Sequence, residues 1–249
     1  MATHSGHRVI SDGLAIAIET KNVKCYNSGT STNLSSNATQ PITSMTPSFY
    51  KNKLGGVTHN NGVYINSDGD TYFDGVDDFL FYDYFSTNYN TASTPWTVEM
   101  WIKFPDVTQT DWHGMWGNGL GIGGYWMWHS NGKMTWYETF DGASRIWYFS
   151  QITLGTHIAQ NEWVHLAWTM DGLGEANQST RMYLNGVLKA THSPGVLYTT
   201  GNYTATPKYI GSGAGRYGSH TMGEFRYYER LLTDEEVYQN YASSRGKYA

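Results

Sequence analysis

Paired carboxylates are the first residues to examine for chemistry, because two of them roughly 5 to 10 Å apart can hydrolyse a glycosidic bond. Acidic residues at i and i+2 of one strand would project from the same face about 6 to 7 Å apart. Glu99 has Trp101 and Lys103 as its same-face neighbours, and Asp68 and Asp70 flank a glycine in a turn-like sequence. No predicted strand offers an acid pair, so we predict that the chain is not an enzyme.

Three further acidic residues lie in the sequence FDGVDD, at Asp74, Asp77 and Asp78. Carboxylate oxygens are hard ligands of the kind that calcium prefers. The same side chains could instead accept hydrogen bonds from the backbone of their own turn. We favour this second role for Asp74 and Asp78 and predict no cofactor, with a structural calcium ion at the three positions as the alternative.

Motifs of other catalytic or binding classes are absent or stand in the wrong context. The sequence has no G-x-S-x-G, no H-E-x-x-H and no paired C-x-x-C, which argues against a hydrolase serine site and a zinc site. Two stretches match G-x-G-x-x-G, at 119–124 and 213–218, but β-patterned sequence follows both. We interpret them as glycine-rich turns rather than dinucleotide sites. The single cysteine, Cys25, is interpreted as an inert packed thiol.

The aromatic residues offer the best candidate for a binding surface, because residues 123–140 contain six aromatic side chains. With Asn131 and Gly132 as a two-residue turn, one face of the predicted hairpin fits a core. The other face mixes rings with hydroxyls: Trp126, Trp128, Thr135, Tyr137 and Thr139. This second face is either a surface for a ligand or partner, or a face buried under loops or at a subunit contact. A register slip of one residue would exchange the two faces.

Other residues near this hairpin are candidates for the same surface. Trp112 and Trp116 would be additional stacking platforms, and His113 is the histidine best placed for binding, in a predicted loop. His165 lies in the middle of a predicted strand on the face opposite Leu166. We predict a hydrogen-bonded structural role for His165.

Short strands separated by turn signals make up most of the chain. Residues 97–104 and 163–170 alternate between two faces, which is the period of a strand. The predicted inward positions are Val98, Met100, Ile102, Phe104, Val164, Leu166, Trp168 and Met170. Asn185 and Gly186 form the predicted two-residue turn of a second hairpin. Many short strands of this kind predict a sandwich or a barrel.

One helix is signalled near the end of the chain. Thr233 and Glu236 have the spacing of a capping box, and Leu232 and Val237 fit a hydrophobic staple around that cap. We predict a helix that runs from there to about Ala242.

The chain is predicted to consist of an arm, residues 1–12, and one domain, residues 13–249, because no repeat or break in composition divides it. Residues 21–61 are rich in Ser, Thr and Asn without a period, which predicts a long polar loop. A loop of this length either carries function or grips a neighbouring subunit.

The composition restricts the partners. The formal net charge is −5, and Lys and Arg form no block, which argues against a nucleic-acid partner and a polybasic membrane surface. No apolar run approaches the roughly 20 residues that cross a bilayer, and the N-terminal sequence lacks the apolar core of a secretory signal. We therefore expect a protein made in the cytoplasm, with no nucleic-acid partner and no membrane insertion.

Seven segments together resemble a known family: DGLAIAIETKNVKCYNSGT, DTYFDGVDDFLFY, STPWTVEMWIKF, NEWVHLAWTMDG, RMYLNGVLKA, PKYIGSGAG and GEFRYYERLLTDEEVYQNY. Their order and spacing are similar to the laminin-G-like branch of the concanavalin A-like lectin/glucanase superfamily, from about residue 13 onwards. The resemblance implies an all-β jelly-roll sandwich of two antiparallel sheets, to which the sequence adds one short C-terminal helix.

Two departures from the family pattern bear on function. Glucanase members carry an E-x-D-x-E strand, which this sequence lacks, in agreement with a non-enzymatic role. Many members hold a structural calcium ion with an Asp just before the last strand, where this chain has Gly223. In this fold, the outer face of the curved sheet is where lectins and glucanases often hold sugar.

The opening and closing segments are most similar to versions found in structural proteins of tailed bacteriophages. Our main hypothesis is therefore a virion protein, as a capsid decoration or a tail or fibre component, that binds other virion proteins, copies of itself or host-surface glycan. The second hypothesis is a free carbohydrate-binding module that uses Trp112, Trp116, Trp126, Trp128 and Tyr137. The third is a glycoside hydrolase with a non-standard acid pair that includes Glu99 or Glu138.

Overall fold

The computed structural model describes residues 9–19, 44–45, 49–50, 57–60, 63–66, 68–82, 95–108, 112–118, 123–128, 132–140, 143–171, 179–192, 208–213 and 215–248. These residues form strands β1 (Leu14–Glu19), β2 (Ser44–Met45), β3 (Phe49–Tyr50), β4 (Val57–Asn60), β5 (Tyr64–Ile65), β6 (Thr71–Asp74), β7 (Phe79–Tyr82), β8 (Trp96–Lys103), β9 (His113–Asn118), β10 (Gly123–Trp128), β11 (Lys133–Phe140), β12 (Ala143–Thr153), β13 (Trp163–Met170), β14 (Thr180–Leu184), β15 (Val187–His192), β16 (Lys208–Ile210), β17 (Ser212–Gly213), β18 (Arg216–Tyr217) and β19 (Ser219–Tyr228). A helix, α1 (Asp234–Ser244), and a 3-10 turn (Arg245–Lys247) follow.

Two antiparallel sheets contain most of these strands. Sheet A has the order β15-β14-β13-β8-β19-β1-β3, with β6 paired to β19 and β5 paired to β6. Sheet B has the order β12-β11-β10-β9-β16-β7-β4-β2, and β17 and β18 form a small separate hairpin. The predicted all-β sandwich of two antiparallel sheets with one short C-terminal helix is confirmed.

The main core lies between the two sheets and follows the alternation of the sequence. On β8, the side chains of Val98, Met100 and Ile102 are at most 1% exposed. The predicted inward residues of β13 are buried in the same cluster, which also includes Leu80 and Ile210 of sheet B. Residues of one parity along each strand therefore face the partner sheet, as the period of a strand requires.

The outer face of sheet A is also covered, which the sequence did not predict. Glu99 and Trp101 lie on this face, yet they are only 0% and 3% exposed, because α1 packs across them. The indole nitrogen of Trp101 donates a hydrogen bond to the Ser244 hydroxyl at 2.8 Å. A second apolar cluster fills the space between this face and the helix: Leu14, Ala17, Ala167, Tyr183, Tyr228, Leu232 and Val237.

The helix begins as its sequence predicts. The Thr233 hydroxyl accepts a hydrogen bond from the Glu236 amide, and the Glu236 carboxylate accepts one from the Thr233 amide. This capping box satisfies two backbone groups that the first turn of a helix leaves free. Arg230 reinforces it, since both ends of its guanidinium group donate to the Glu236 carboxylate.

Part of the predicted polar loop is β structure. Strands β2, β3 and β4 lie inside residues 21–61, and β3 pairs with β1 while β4 pairs with β7. Edge pairing of this kind uses backbone hydrogen bonds, which need no side-chain period, so the prediction of a structureless loop is wrong for these strands. The rest of this segment, with Cys25, lies outside the described residues, as do residues 1–8 of the predicted arm.

The described end of the arm docks on this chain. The amide of Ile10 donates to the Asn240 side chain at 2.7 Å, and the Tyr228 hydroxyl donates to the carbonyl of Ile10. Ile10 also packs against the second apolar cluster. Among the described residues, no helix has the length and apolar character needed to cross a bilayer.

Candidate functional site on the outer face of sheet B

The structure corrects the register of the aromatic hairpin formed by β10 and β11. The sequence predicted a two-residue turn at Asn131 and Gly132, but Trp128 pairs with Met134, which leaves five residues between the paired positions. The carbonyl of Gly132 accepts a hydrogen bond from the Leu154 amide, so this glycine is tied to the chain beyond β12. The predicted turn is therefore wrong, and the shift by one residue exchanges the two faces of β10.

A row of four tryptophan positions follows from the observed register. Trp126 pairs with Trp116 of β9 and with Trp136 of β11, and Trp136 pairs with Trp147 of β12. Trp116 is 2% exposed, and its ring centroid lies 5.4 Å from that of Trp96, which is half-buried and packs against the core. Because residues paired across a ladder share a face, this row lies on the core side of sheet B.

The register places the backbone positions of three predicted binding residues in core-side rows. Trp116 is a core residue, and the position of Trp126 is in register with it. Trp128 is in register with Met134, whose side chain is fully buried. Trp116 is therefore buried in the core and not on one surface with Tyr137, whereas the predicted binding roles of Trp126, Trp128 and Tyr137 stay predictions.

The neighbouring row lies on the outer face of sheet B. Gly117 of β9 pairs with Tyr209 of β16 and with Tyr125 of β10, and Tyr125 pairs with Tyr137 of β11. Tyr209 pairs in turn with Phe81 of β7. The next residues along β7, β9 and β16 are buried in the core, so this row faces outward. We call these five residues the outer row. Tyr137 is the predicted site residue that belongs to it.

Tyr209 of the outer row forms an aromatic cluster with two side chains that lie beside the row. The ring of Phe79 lies edge-on to that of Tyr209 at 4.7 Å and nearly parallel to that of Tyr217 at 6.2 Å. All three side chains are half-buried. Burial raises the pKa of Tyr209, and the nearby Tyr217 adds to the shift. Rings that are packed together but still partly exposed present flat apolar faces at a small cost in side-chain entropy.

The β17–β18 hairpin lies over one end of the outer face. Gly114 is in outward register on β9, and a Cβ there would lie 2.2 Å from the Gly213 nitrogen and 2.4 Å from the Arg216 oxygen. Only glycine permits this approach. The hairpin spans the second G-x-G-x-x-G stretch and leads directly into β19, so no helix follows it, as predicted. Residues 119–122 of the first stretch lie outside the described residues.

The last two residues predicted for the binding surface lie at the start of β9, in the middle of sheet B. Trp112 and His113 are half-buried, and His113 pairs with Trp128 in a core-side row. His113 is close enough to the buried His220 that its charge helps to lower the pKa of His220, which burial sets at about 3. The ring of His220 stacks on that of Phe73 at 4.7 Å. The structure therefore brings His113 to a buried histidine and not to the outer row.

The acidic turn between β6 and β7 hydrogen-bonds to itself, as the sequence analysis favoured. The Asp74 amide donates to Oδ2 of Asp78 at 2.8 Å, and the Val76 amide donates to Oδ1 of Asp74 at 2.7 Å. Burial raises the pKa of Asp78 to about 6, and the charges of Asp74 and Asp77 add to that shift. This turn leads into Phe79 and so adjoins the aromatic cluster.

A second group of buried polar residues lies under α1 on the other side of the molecule. The Asn240 amide donates to Oε2 of Glu99 at 2.9 Å, and Arg226 is hydrogen-bonded to Glu224 and lies 3.7 Å from Glu99. Burial raises the pKa of Glu99 to about 7, although Arg226 opposes the shift. Because α1 covers this group, Glu99 has no access to a substrate.

His165 belongs to the same group, and its predicted hydrogen bonds are not formed. Both ring nitrogens lack a hydrogen-bond partner, and Nε2 lies 3.9 Å from Oε1 of Glu99. Burial lowers the pKa of His165 to about 3, with a smaller contribution from Arg226. The imidazole is therefore a neutral, packed group beside the rings of Trp101 and Tyr241.

The sequence comparison agrees with this architecture. A family model described as the concanavalin A-like lectin/glucanases superfamily matches residues 82–238, which is more than half of the chain. The chain belongs to this superfamily. Its matched segment includes strands of both sheets and the residues of the outer row except Phe81. No curated protein sequence matches the chain.

Solved structures with a similar fold include the binding domains of a botulinum neurotoxin and of a mosquitocidal protein. The binding domain of botulinum neurotoxin serotype D is 16% identical with a TM-score of 0.62, and it aligns over 93% of this chain and 52% of its own. The ligand-binding domain of the same toxin in complex with N-acetylneuraminic acid is 13% identical with a TM-score of 0.62. It aligns over 93% of this chain and 51% of its own. The binding domain of Paraclostridial mosquitocidal protein 1 is 15% identical with a TM-score of 0.59. It aligns over 92% of this chain and 52% of its own. The chain thus spans about half the length of the structures it matches, and the likeness shows the fold.

Proposed function

We propose that this chain is a non-catalytic recognition domain that binds cell-surface carbohydrate with the outer face of sheet B. The observation that carries the proposal is the outer row, in which aromatic positions from four strands lie in register on either side of Gly117. A glycine between tyrosine positions leaves a gap in the row, and a sugar ring is a flat group that stacks on such aromatic faces.

The described side chains support this use of the face. Tyr209 and Tyr217 each carry a hydroxyl beside the ring of Phe79, so the cluster combines apolar faces with hydrogen-bonding groups. The β17–β18 hairpin closes one end of the face. By contrast, the outer face of sheet A is occupied by α1 and offers no such surface.

The comparisons support the class of ligand. The superfamily is named for lectins and glucanases, and one structural neighbour is a ligand-binding domain in complex with N-acetylneuraminic acid. Others are the binding domains of a botulinum neurotoxin and of a mosquitocidal protein. A sialylated glycan is therefore the first ligand class to test.

A glycan array that includes sialylated oligosaccharides tests this proposal. We expect selective binding by the wild-type chain, and a loss of about tenfold or more in affinity for Tyr209→Ala and Tyr137→Ala. Tyr238→Ala is the matched control, because Tyr238 is 49% exposed on α1, on the opposite side of the sandwich. Equal binding by all four proteins, or binding by none, would contradict the proposal.

The proposed function includes no catalytic step. Glu99, which a hydrolase would need, is buried under α1 and bonded to Asn240. We expect the chain to release no reducing sugar from the glycans it binds. Turnover that is lost in Glu138→Gln would restore the hydrolase hypothesis.

We also propose a setting for this domain, in which it forms part of a bacteriophage particle and contacts neighbouring subunits. The resemblance of the opening and closing segments to phage structural proteins supports this setting, and so does an exposed apolar patch. Val187, Leu188 and Tyr238 are 51%, 37% and 49% exposed. Leu188 and Tyr238 lie on the same side of sheet A, because Leu188 pairs with Tyr183 of the second apolar cluster and the Cα of Tyr238 is 3.2 Å from where a Cβ on Gly186 would be. Val187 pairs with the core residue Leu184 and so lies on the other face. Light scattering of the pure chain tests this: a stable oligomer supports the setting, and a monomer at high concentration opposes it.

A further inference from the structure

The turn between β6 and β7 gathers three carboxylates at one point. One oxygen from each of Asp74, Asp77 and Asp78 lies within 4.8 Å of the other two. Two oxygens bound to one calcium ion at about 2.4 Å can be at most about 4.8 Å apart, so these distances match a shared ion. The turn is held against β19, since a Cβ on Gly75 would lie 2.9 Å from the Ser219 nitrogen.

Asp78, one of these three residues, also has a buried carboxylate oxygen without a donor. Oδ2 of Asp78 accepts the Asp74 amide, and Oδ1 of Asp74 accepts the Val76 amide. Oδ1 of Asp78 has no hydrogen-bond partner, although Asp78 is only 1% exposed. A buried carboxylate oxygen without a donor is costly unless a positive charge compensates it. This oxygen is a second observation, beyond the clustering of charge, that points to a cation-binding role for the turn.

We propose that the β6–β7 turn binds a divalent cation of the calcium class through Asp74, Asp77 and Asp78. Calcium accepts carboxylates in mono- or bidentate geometry and completes six to eight ligands with carbonyls and water, so a partly exposed turn suits it. Magnesium demands a smaller, stricter octahedron and dehydrates reluctantly. The site is independent of the outer row, although the bound ion would fix the start of β7 beside Phe79.

Isothermal titration of calcium chloride into the full chain, after treatment with EDTA, tests this site. We expect one saturable site in the millimolar range or tighter, and weaker binding of magnesium chloride. Asp77→Asn and Asp78→Asn should each weaken calcium binding about tenfold or more. Glu162→Gln is the matched control, because it removes the same charge from an exposed residue outside the turn.

Two outcomes overturn the proposal. The first is the absence of saturable calcium binding up to about 10 mM, which would mean that a proton neutralises Asp78 instead. The second is binding that is unchanged in both Asn variants, which would place the ion elsewhere. Asp78→Asn keeps an oxygen to accept the Asp74 amide, and Asp77→Asn provides a separate test if that variant unfolds. As a second readout, we expect calcium to raise the melting temperature of the wild type and of Glu162→Gln, but not that of the two Asn variants.

Discussion

Burial determines the chemistry of individual histidines in this domain. His165 on β13 and His220 on β19 are 0% exposed, and burial lowers the pKa of each from 6.5 to about 3. Between pH 6.5 and 3, the unfolded chain therefore binds more protons at these positions than the folded chain. The free energy of unfolding contributed by each histidine is intact above pH 6.5 and falls as the pH falls through this window.

His165→Gln should make the protein less sensitive to acid, because glutamine has no proton to gain on unfolding. Between pH 7 and pH 4.5, we expect the wild type to lose about 2 to 3 kcal/mol more unfolding free energy than the variant does. Urea denaturation at the two pH values measures this difference. His157→Gln, at an exposed histidine, should lose as much as the wild type. Parallel losses in His165→Gln and wild type would contradict a neutral buried His165.

The acidic partner of His165 should respond in the opposite direction. The pKa of Glu99 rises from 4.5 to about 7 in the folded protein, so the folded state holds the extra proton between these values. The stability from this proton is intact below pH 4.5 and is lost as the pH rises through about 7. In Glu99→Gln, which keeps a neutral group at this position, we expect unfolding free energy to fall less between pH 5 and pH 8 than in wild type. A steeper fall in the variant would contradict a protonated Glu99.

At the scale of elements, one buried asparagine of α1 bonds to several parts of the molecule. The Asn240 side chain donates to Glu99 of β8 and to the Tyr228 hydroxyl of β19, both at 2.9 Å, and accepts from the Ile10 amide. Asn240 is 0% exposed. It thus connects the helix, two central strands and the N-terminal segment.

Asn240→Ala should destabilise the fold by about 3 kcal/mol, because it removes three hydrogen bonds, two of which are buried. Chemical denaturation measures the loss. Glu235→Ala, at an exposed position of the same helix, should change the unfolding free energy by less than about 0.5 kcal/mol. Similar small losses in both variants would show that α1 is not tied to the sheet through Asn240.

Local sequence signals predicted the elements better than the site. The capping box at Thr233 and the turn at Asn185 and Gly186 formed as predicted, with φ of 52° and 75° in that turn. The same Asn-Gly signal failed at Gly132, whose carbonyl accepts a hydrogen bond from the Leu154 amide, distant in sequence.

The outer row could not be predicted for a related reason. Gly117 and Tyr209 are paired across strands that lie about ninety residues apart in the sequence, and no local pattern reveals such a pairing. The burial of Trp101 depends on α1, which is also distant in sequence. Alternation indicated which residues share a face of a strand, but not which strand or helix lies against that face.

At the scale of the whole molecule, the sandwich has one face covered by α1 and one covered by no helix of the described residues. The apolar patch lies at the rim of the covered side, where β15 is the edge strand of sheet A. An exposed edge strand with apolar neighbours is prone to pair with another chain. If copies of the chain associate there, Leu188→Asp should convert the oligomer to monomers, while Lys189→Asp on the same strand serves as a charge control. Light scattering gives the mass directly, and an oligomer that persists in Leu188→Asp would place the contact elsewhere.

The most direct test of the central claim is isothermal titration of the strongest array ligand into wild type, Tyr209→Ala and Tyr238→Ala. The claim that the outer face of sheet B is the recognition surface predicts about tenfold or greater loss of affinity in Tyr209→Ala and no loss in Tyr238→Ala. Undiminished affinity in a folded Tyr209→Ala protein, or a loss confined to Tyr238→Ala, would contradict it.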